Sequence, residues 1–290
     1  MLSRRERERW IQQARVAAAR CTLRYPPTML DTSCGGAAPG PGSGLEIHDF
    51  RPYQPGDDPR RIDWRAYARS DTLVVRRPRK EVAPRLQVAL DLSASMGVWP
   101  EKALHALFLT TLLVEAGRRV DWRVEIVTGD AGIAGDELDE FLESARFIRP
   151  DTGLPLFGPW PAARALRVVV SDFLVPTDFL TYLLGVSRGA AQVAAIVVLS
   201  EHETNPSFSG AFRLVDPENS SRFRNLRVTG AVRTRYRARL LAHLESLQRA
   251  AAQVRAWYAR VDVPRARRSL PEVASHCMST LVRTGILEVR

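Results

Sequence analysis

The sequence predicts an α/β protein built on a doubly wound, mostly parallel sheet, with an N-terminal extension ahead of it. Three observations carry this expectation. Runs such as "RLQVALDL", "RVVVSDF" and "QVAAIVVL" have strand length and are apolar almost throughout, which marks strands covered on both faces. Helical patterns lie between and after them: "EKALHALFLTTLLVEAGR", "DELDEFLESARF" and "PTDFLTYLLGVSR". Strands that alternate with helices connect in parallel through crossovers. The expected division is residues 1–80 for the extension and 81–290 for the sheet domain with its C-terminal helices.

The elements follow in order. Residues 3–20 set Trp10, Ile11, Ala14, Val16 and Ala17 among charges and predict a helix. Residues 31–44, "DTSCGGAAPGPGSG", are a loop or linker by composition. "TLVVRRPRKEV" alternates as a strand does. From residue 85 come a buried strand, a helix that stops at Gly117, the strand "DWRVEIVT", and the helix and strand pairs named above. "GAFRLVDPENSSRFRNLRV" reads as a hairpin within the polar segment 207–229. A long helix over about 232–256 places Leu240, Leu241, Leu244, Leu247 and Val254 on one side. The strand "AWYARVDV", a helix near 271–283 and the strand "ILEV" close the chain.

The totals bound the class. A chain of 290 residues can bury one large α/β core or two modest ones. With 45% hydrophobic and 26% charged residues it is globular in composition. No apolar run reaches the ~20 residues of a membrane span. The start, "MLSRRERERW", lacks the apolar stretch of a secretory leader. A cytoplasmic protein without a membrane segment is expected. Cys21, Cys34 and Cys277 match no zinc or disulfide spacing and read as free thiols. The net charge of +10 admits nucleic acid or an acidic partner. However, nearly every base is Arg, with Lys only at Lys80 and Lys102, and no recognition motif accompanies the charge. No glycine-rich phosphate loop is present, so nucleotide binding by this chain is not expected.

Two apolar strands end in carboxylates, "LQVALDLSASMG" and "RVVVSDF". In open parallel sheets ligands gather at these carboxyl ends. Asp91, Ser93 and Ser95 stand at i, i+2 and i+4 on the loop leaving the first strand, and Asp172 ends the second. Oxygen donors of this kind suit Mg²⁺, with Mn²⁺ or Ca²⁺ as alternatives. The competing reading is that Asp91 only caps the following turn through its side chain.

D-x-S-x-S after a buried strand resembles the metal-ion-dependent adhesion site of von Willebrand factor type A domains, which are Rossmann-like. That resemblance implies a later Asp, a role Asp172 fits, and a Thr from an intervening loop. Thr152 in "RPDTGLP" is the candidate, with Thr128 in "VTGD" as competitor. Further, "FRPYQPGDDPRRIDWRAYAR" followed by "KE" and "DLSASM", together with the later "GAFRLVDPENS", resembles the prokaryotic family called domain of unknown function 58. The likeness runs over most of the chain from about residue 44. It implies a von Willebrand type A-like domain and a MoxR-type AAA+ ATPase as partner, which the protein would assist in remodelling or maturing other complexes.

The stretch "YQPGDDPRRIDW" has its own physical reading. Gln54-Pro55-Gly56-Asp57 suits a type II turn. Asp58 then caps a short helix with Pro59 at its first position, on which Arg61, Arg65 and Arg69 lie a turn apart. Asp57, Asp58, Arg60, Arg61, Asp63, Trp64 and Arg65 form either a corner fixed by its own ion pairs or a partner-docking surface. The five histidines show no ligand spacing; His105 reads as a core or edge residue and His243 as solvated. The function expected is metal-dependent protein binding, not catalysis. The rivals are a Mg²⁺-dependent phosphoryl hydrolase using Asp91 and Asp172, and nucleic-acid binding through the Arg-rich N-terminal helix.

Overall fold

A computed structural model of the chain describes residues 3–26, 48–78, 83–128, 131–147, 160, 162–175, 177–266 and 268–290. It divides into two compact units, one of Met1–Arg24 with Pro84–Arg290 and one of Tyr25–Ala83. Helix α1 (Arg4–Ala18) starts at Ser3, whose hydroxyl accepts from the Glu6 amide, and buries Trp10, Ile11, Ala14, Ala17 and Ala18. Strand β1 (Cys21–Leu23) follows. The inserted unit contains strand β2 (His48–Pro52), a 3₁₀ turn (Pro59–Arg61), helix α2 (Trp64–Ser70) and strand β3 (Val74–Pro78). In it, β2 and β3 pair antiparallel with Pro52 opposite Val74.

The first unit resumes with β4 (Arg85–Leu90), α3 (Ala94–Gly97), α4 (Pro100–Arg118), β5 (Arg123–Thr128), β6 (Ala131–Ala134) and α5 (Glu137–Ser144). Next come β7 (Ala165–Ser171), α6 (Phe179–Ser187), β8 (Gln192–Ser200), α7 (Glu201–Thr204) and the hairpin β9 (Gly210–Val215) and β10 (Phe223–Val228). Helix α8 (Gly230–Gln253), β11 (Trp257–Val263), α9 (Leu270–Arg283) and β12 (Leu287–Val289) end the chain. Six strands form the central sheet in the order β11-β8-β7-β4-β5-β6. Every pair in it is parallel except β5 with β6. The α/β class and the mostly parallel sheet are therefore as expected.

Helices cover both faces. On one, Ala89, Val169, Val197 and Leu199 pack against Phe179, Tyr182, Leu183 and Val186 of α6 and Leu240, Leu244 and Leu247 of α8. On the other lies α4, with α1 behind it: Trp10 meets His105 at 5.0 Å and Phe108 at 6.3 Å between ring centroids. A helix enclosed this way is apolar all round, which explains the long run "ALHALFLTTLLV" without a membrane. No helix among the described residues is long and apolar enough to cross one.

Several local expectations change. The division at residue 80 separates α1 from the sheet, whereas α1 groups with the sheet unit, and β1 pairs with the terminal strand β12. Gly117 does not stop α4 but lies in its last turn. A Cβ there would come within 2.9 Å of Val124 Cγ2 and 3.3 Å of Leu23 Cδ1, so the glycine lets the helix approach the sheet. Leu241 points away from the core and is 55% exposed, because it stands one position off the Leu240–Leu244–Leu247 face.

Candidate functional site

The order of the sheet fixes where the two carboxylates go. From β4 the chain adds β5 on one side, then returns to place β7 on the other. The gap between β4 and β7 is thus the switch point, the place where open α/β sheets bind their ligands at the carboxyl ends of the strands. Leu90 lies opposite Val170, and the Asp91 amide donates to the Val170 carbonyl at 2.9 Å. Asp91 and Asp172 therefore leave adjacent strands on the same rim, and both are buried.

Each carboxylate is held by its own loop. Asp91 Oδ1 accepts from the Ser93 amide at 2.9 Å, the turn-capping bond that formed the competing reading. Its Oδ2 accepts from the Ser171 hydroxyl at 2.5 Å. The Ser93 and Ser95 hydroxyls lie 3.0 Å apart, so the D-x-S-x-S loop does gather its donors at one place. Asp172 Oδ1 accepts from the Leu174 amide at 2.9 Å. Phe173, the next residue, has a φ of 55° and turns the chain sharply off the strand. Thr152 lies outside the described residues, as does the side chain of Thr128.

A lysine completes the rim. Lys102, in the first turn of α4, is fully buried. Its ammonium donates to Asp172 Oδ2 at 2.7 Å, to Glu203 Oε1 at 2.6 Å and to the Ser95 carbonyl at 3.4 Å. Glu203 is positioned by the capping box of α7, its Oε2 accepting from the Ser200 amide at 2.8 Å. Trp99 at the start of α4 stacks on His202 of α7 with centroids 4.1 Å apart, which ties the two short segments together. Burial pulls the Lys102 ammonium down, but Asp172 and Glu203 outweigh it and its pKa stands above the usual lysine value. Burial pushes the Asp91 carboxyl up, opposed by the Ser171 bond and reinforced by the Asp172 charge. Burial also raises Glu203, against the pull of Lys102.

A fourth carboxylate arrives from far away in sequence. Glu218, in the turn between β9 and β10, accepts from the Ser95 amide at 2.6 Å and the Ala94 amide at 3.2 Å. Asp91, Asp172, Glu203 and Glu218 against the single ammonium of Lys102 leave a formal surplus of three negative charges.

The donor set suits a hard cation. Asp91, Ser93 and Ser95 could hold it, with Asp172 acting through water because Lys102 takes one of its oxygens. Among the described residues no cluster of three or more His, Cys, Asp or Glu side chains has metal-holding geometry. Sequence reasoning missed Lys102, Glu203, Ser171 and Glu218. Lys102 is one of only two lysines in an arginine-rich chain and sits in an apolar helix, which is a readable signal. Ser200 and Glu203 stand at capping-box spacing. Glu218 leaves no local signal.

The inserted unit stands by itself. Gly56 has a φ of 105° and the Asp57 amide donates to the Gln54 carbonyl at 3.0 Å, as a type II turn requires. Asp58 caps the 3₁₀ turn by accepting from the Arg60 amide. The single helix expected from Pro59 onward is broken, because Ile62 is extended and bridges to Val75. Asp63 caps the second helix, accepting from the Arg65 and Ala66 amides at 2.9 and 3.0 Å. Arg61 and Arg65 therefore do not share a helix, whereas Arg65 and Arg69 do. All three acids bond to backbone amides, which fixes the corner's shape. Trp64 is 59% exposed, with Tyr67 edge-on to it.

The histidines are placed individually. His105 Nδ1 lies 2.6 Å from the Glu101 carbonyl in the core. His243 is not simply solvated: its Nε2 is 2.7 Å from the Phe173 carbonyl and its ring meets Phe179, so it braces the turn after Asp172. Cys21 and Cys277 are buried and free, and Cys34 lies outside the described residues.

No curated protein and no solved structure matches the chain. Residues 49–113 and 157–246, more than half of the chain, match the model of the family described as "Protein of unknown function DUF58", and the chain belongs to that family.

Proposed function

We propose that this chain is a cytoplasmic protein-binding scaffold of von Willebrand factor type A character, whose contact with its partner is completed by a divalent cation on the rim between β4 and β7. The observation that carries this reading is the meeting of Asp91, Ser93, Ser95 and Asp172 at the switch point, with negative charge left over after Lys102 is counted. Asp91, Ser93 and Ser95 would hold Mg²⁺, or Mn²⁺ or Ca²⁺ in its place, and Asp172 would orient a bound water. Such an ion supplies the positive charge that lets a partner's carboxylate approach a rim otherwise hostile to it. The partner that the family resemblance suggests is a MoxR-type AAA+ ATPase, which the scaffold would help to act on other complexes.

The test is co-purification of this chain with a co-expressed MoxR-type ATPase, in Mg²⁺ and in chelator. Retention in Mg²⁺, lost in chelator and in Asp91→Ala, supports the reading; retention indifferent to both contradicts it. The hydrolase rival is decided by a phosphatase screen, since turnover abolished by Asp91→Ala would establish it. Both Asp91 oxygens already accept from protein donors, which suits holding better than nucleophilic attack.

A further inference from the structure

Glu218 is the residue that this reading leaves over. It belongs to a hairpin turn, where its amide donates to Asp216 at 2.9 Å, yet its carboxylate rests on two amides of the D-x-S-x-S loop. The molecule thus seats a carboxylate of its own at the place where a partner's would be received.

The hairpin that delivers Glu218 lies outside the central sheet. Its two strands pair only with each other among the described residues. Phe212, Leu214, Val215 and Phe223 are between 37% and 51% exposed. Isolated two-stranded ribbons are marginal in water, and an exposed ribbon with open edges is a template for another chain. A shallow hollow of about 410 Å³ lies along it, lined by Ala211, Phe212, Arg213, Asn225, Leu226 and Arg227. The charge is one-sided. From β9 to the middle of α8 the chain carries eight arginines, the last four at alternate positions from Arg233 to Arg239, against only Asp216 and Glu218. Arg213 lies over the Phe223 ring at 3.8 Å, a cation held flat on an aromatic face.

We propose that the hairpin forms a docking surface for an acidic protein segment, and that Glu218 stands in, within the free chain, for the carboxylate which that segment brings to the rim. The inference rests on the proposed role of the rim as a carboxylate seat. It names the partner's chemistry: a strand added at the ribbon edge would set acidic side chains on the face of Arg213 and Arg227 and apolar ones on the opposite face, beside Phe212 and Leu214. Protein fits better than nucleic acid. The hairpin turn carries the basic surface up to Asp91, Asp172 and Glu203, whose surplus charge repels a continuous polyphosphate, whereas a single carboxylate beside the loop amides needs only the one proposed cation to offset it.

The test uses the full chain and fluorescence anisotropy. The probes are a labelled peptide of alternating Glu and Leu, about eight residues and so long enough to lie along one strand of the hairpin, its Lys and Leu counterpart, and a single-stranded oligonucleotide of equal charge. Wild type should bind the acidic peptide and not the basic one. Glu218→Ala should tighten binding about tenfold by vacating the seat, and Arg213→Glu with Arg224→Glu and Arg227→Glu should weaken it about tenfold. Affinity unchanged in both variants overturns the proposal, as does tighter binding of the oligonucleotide than of the acidic peptide. Chelator separates the two claims. If the variant effects survive chelator and Asp91→Ala, the cation reading fails and the docking surface stands. If Mg²⁺ binds but neither variant changes affinity, the docking surface alone fails.

Discussion

Replacing Lys102 by Met removes the one positive charge inside the rim and keeps the volume of the side chain. The ammonium lies 2.7 Å from Asp172 and 2.6 Å from Glu203 and is fully buried. At an effective dielectric constant of about 20, each contact is worth roughly 6 kcal/mol of attraction. Desolvating the ammonium cancels several kcal/mol of this, and removing one member of such a buried set costs about 3–5 kcal/mol net. The raised pKa of Lys102 agrees in sign, since attraction outweighs burial there. Urea denaturation in chelator at pH 7.5 should show a loss of about 4 kcal/mol, and thermal scans a fall of roughly 10 °C. The pH dependence follows from Asp91 and Glu203, whose carboxyl pKa values are raised. A raised carboxyl contributes stability at low pH and loses it as pH rises through the folded pKa. The deficit of Lys102→Met should therefore shrink toward pH 5. A loss under about 1 kcal/mol at pH 7.5, or a deficit that grows on acidification, would refute the electrostatic account of the rim.

Four further predictions concern the frame around it. In Gly97→Ala the new Cβ would sit 2.7 Å from the Phe147 carbonyl oxygen and 2.8 Å from its Cβ, neither able to swing away, so about 3 kcal/mol should be lost by chemical denaturation. Gly185→Ala in α6 meets nothing within 4 Å and should be neutral or stabilising by up to about 1 kcal/mol. His105, packed on Trp10 and influenced by His276 and Arg268, has its pKa lowered by burial from 6.5 to about 4. The unfolded chain takes up that proton first, so His105 contributes stability above pH 6.5 and loses up to about 3 kcal/mol of it toward pH 4. The stability profile of His105→Leu should be flatter over that range, and parallel profiles would contradict the assignment. Arg167, buried in β7, donates to the carbonyls of Val186, Arg188 and Ala162 at 2.7, 2.8 and 2.9 Å. Arg167→Met leaves those acceptors bare and should cost about 3–5 kcal/mol, with Arg167→Lys recovering only part, because an ammonium lacks the planar fork.

The central strands were legible because a strand buried on both faces must be apolar along its length, and "VAAIVVL" and "RVVV" have no other use. Asp91 and Asp172 were legible as strand ends for the same reason: the apolar run stops at a charge. Strand β6 was not, since "AGIA" is too short and small to signal an antiparallel edge. The break in the corner helix was hidden because Pro59 through Ser70 reads as one helical stretch, while the Ile62 bridge to Val75 overrides it. Lys102 stands out in sequence as a rare lysine in an apolar helix, but only the fold shows that its first-turn position aims it at Asp172 and Glu203. Glu218 reaches the Ser95 loop across 123 residues, a pairing that no local pattern encodes.

Calorimetric titration of Mg²⁺ and Mn²⁺ into the purified chain measures the proposed cation site itself. The account predicts saturable one-site heats with wild type that vanish in Asp91→Ala and weaken in Ser93→Ala and Ser95→Ala. Heats from Asp91→Ala equal to those of wild type, in protein shown to be folded, would contradict it.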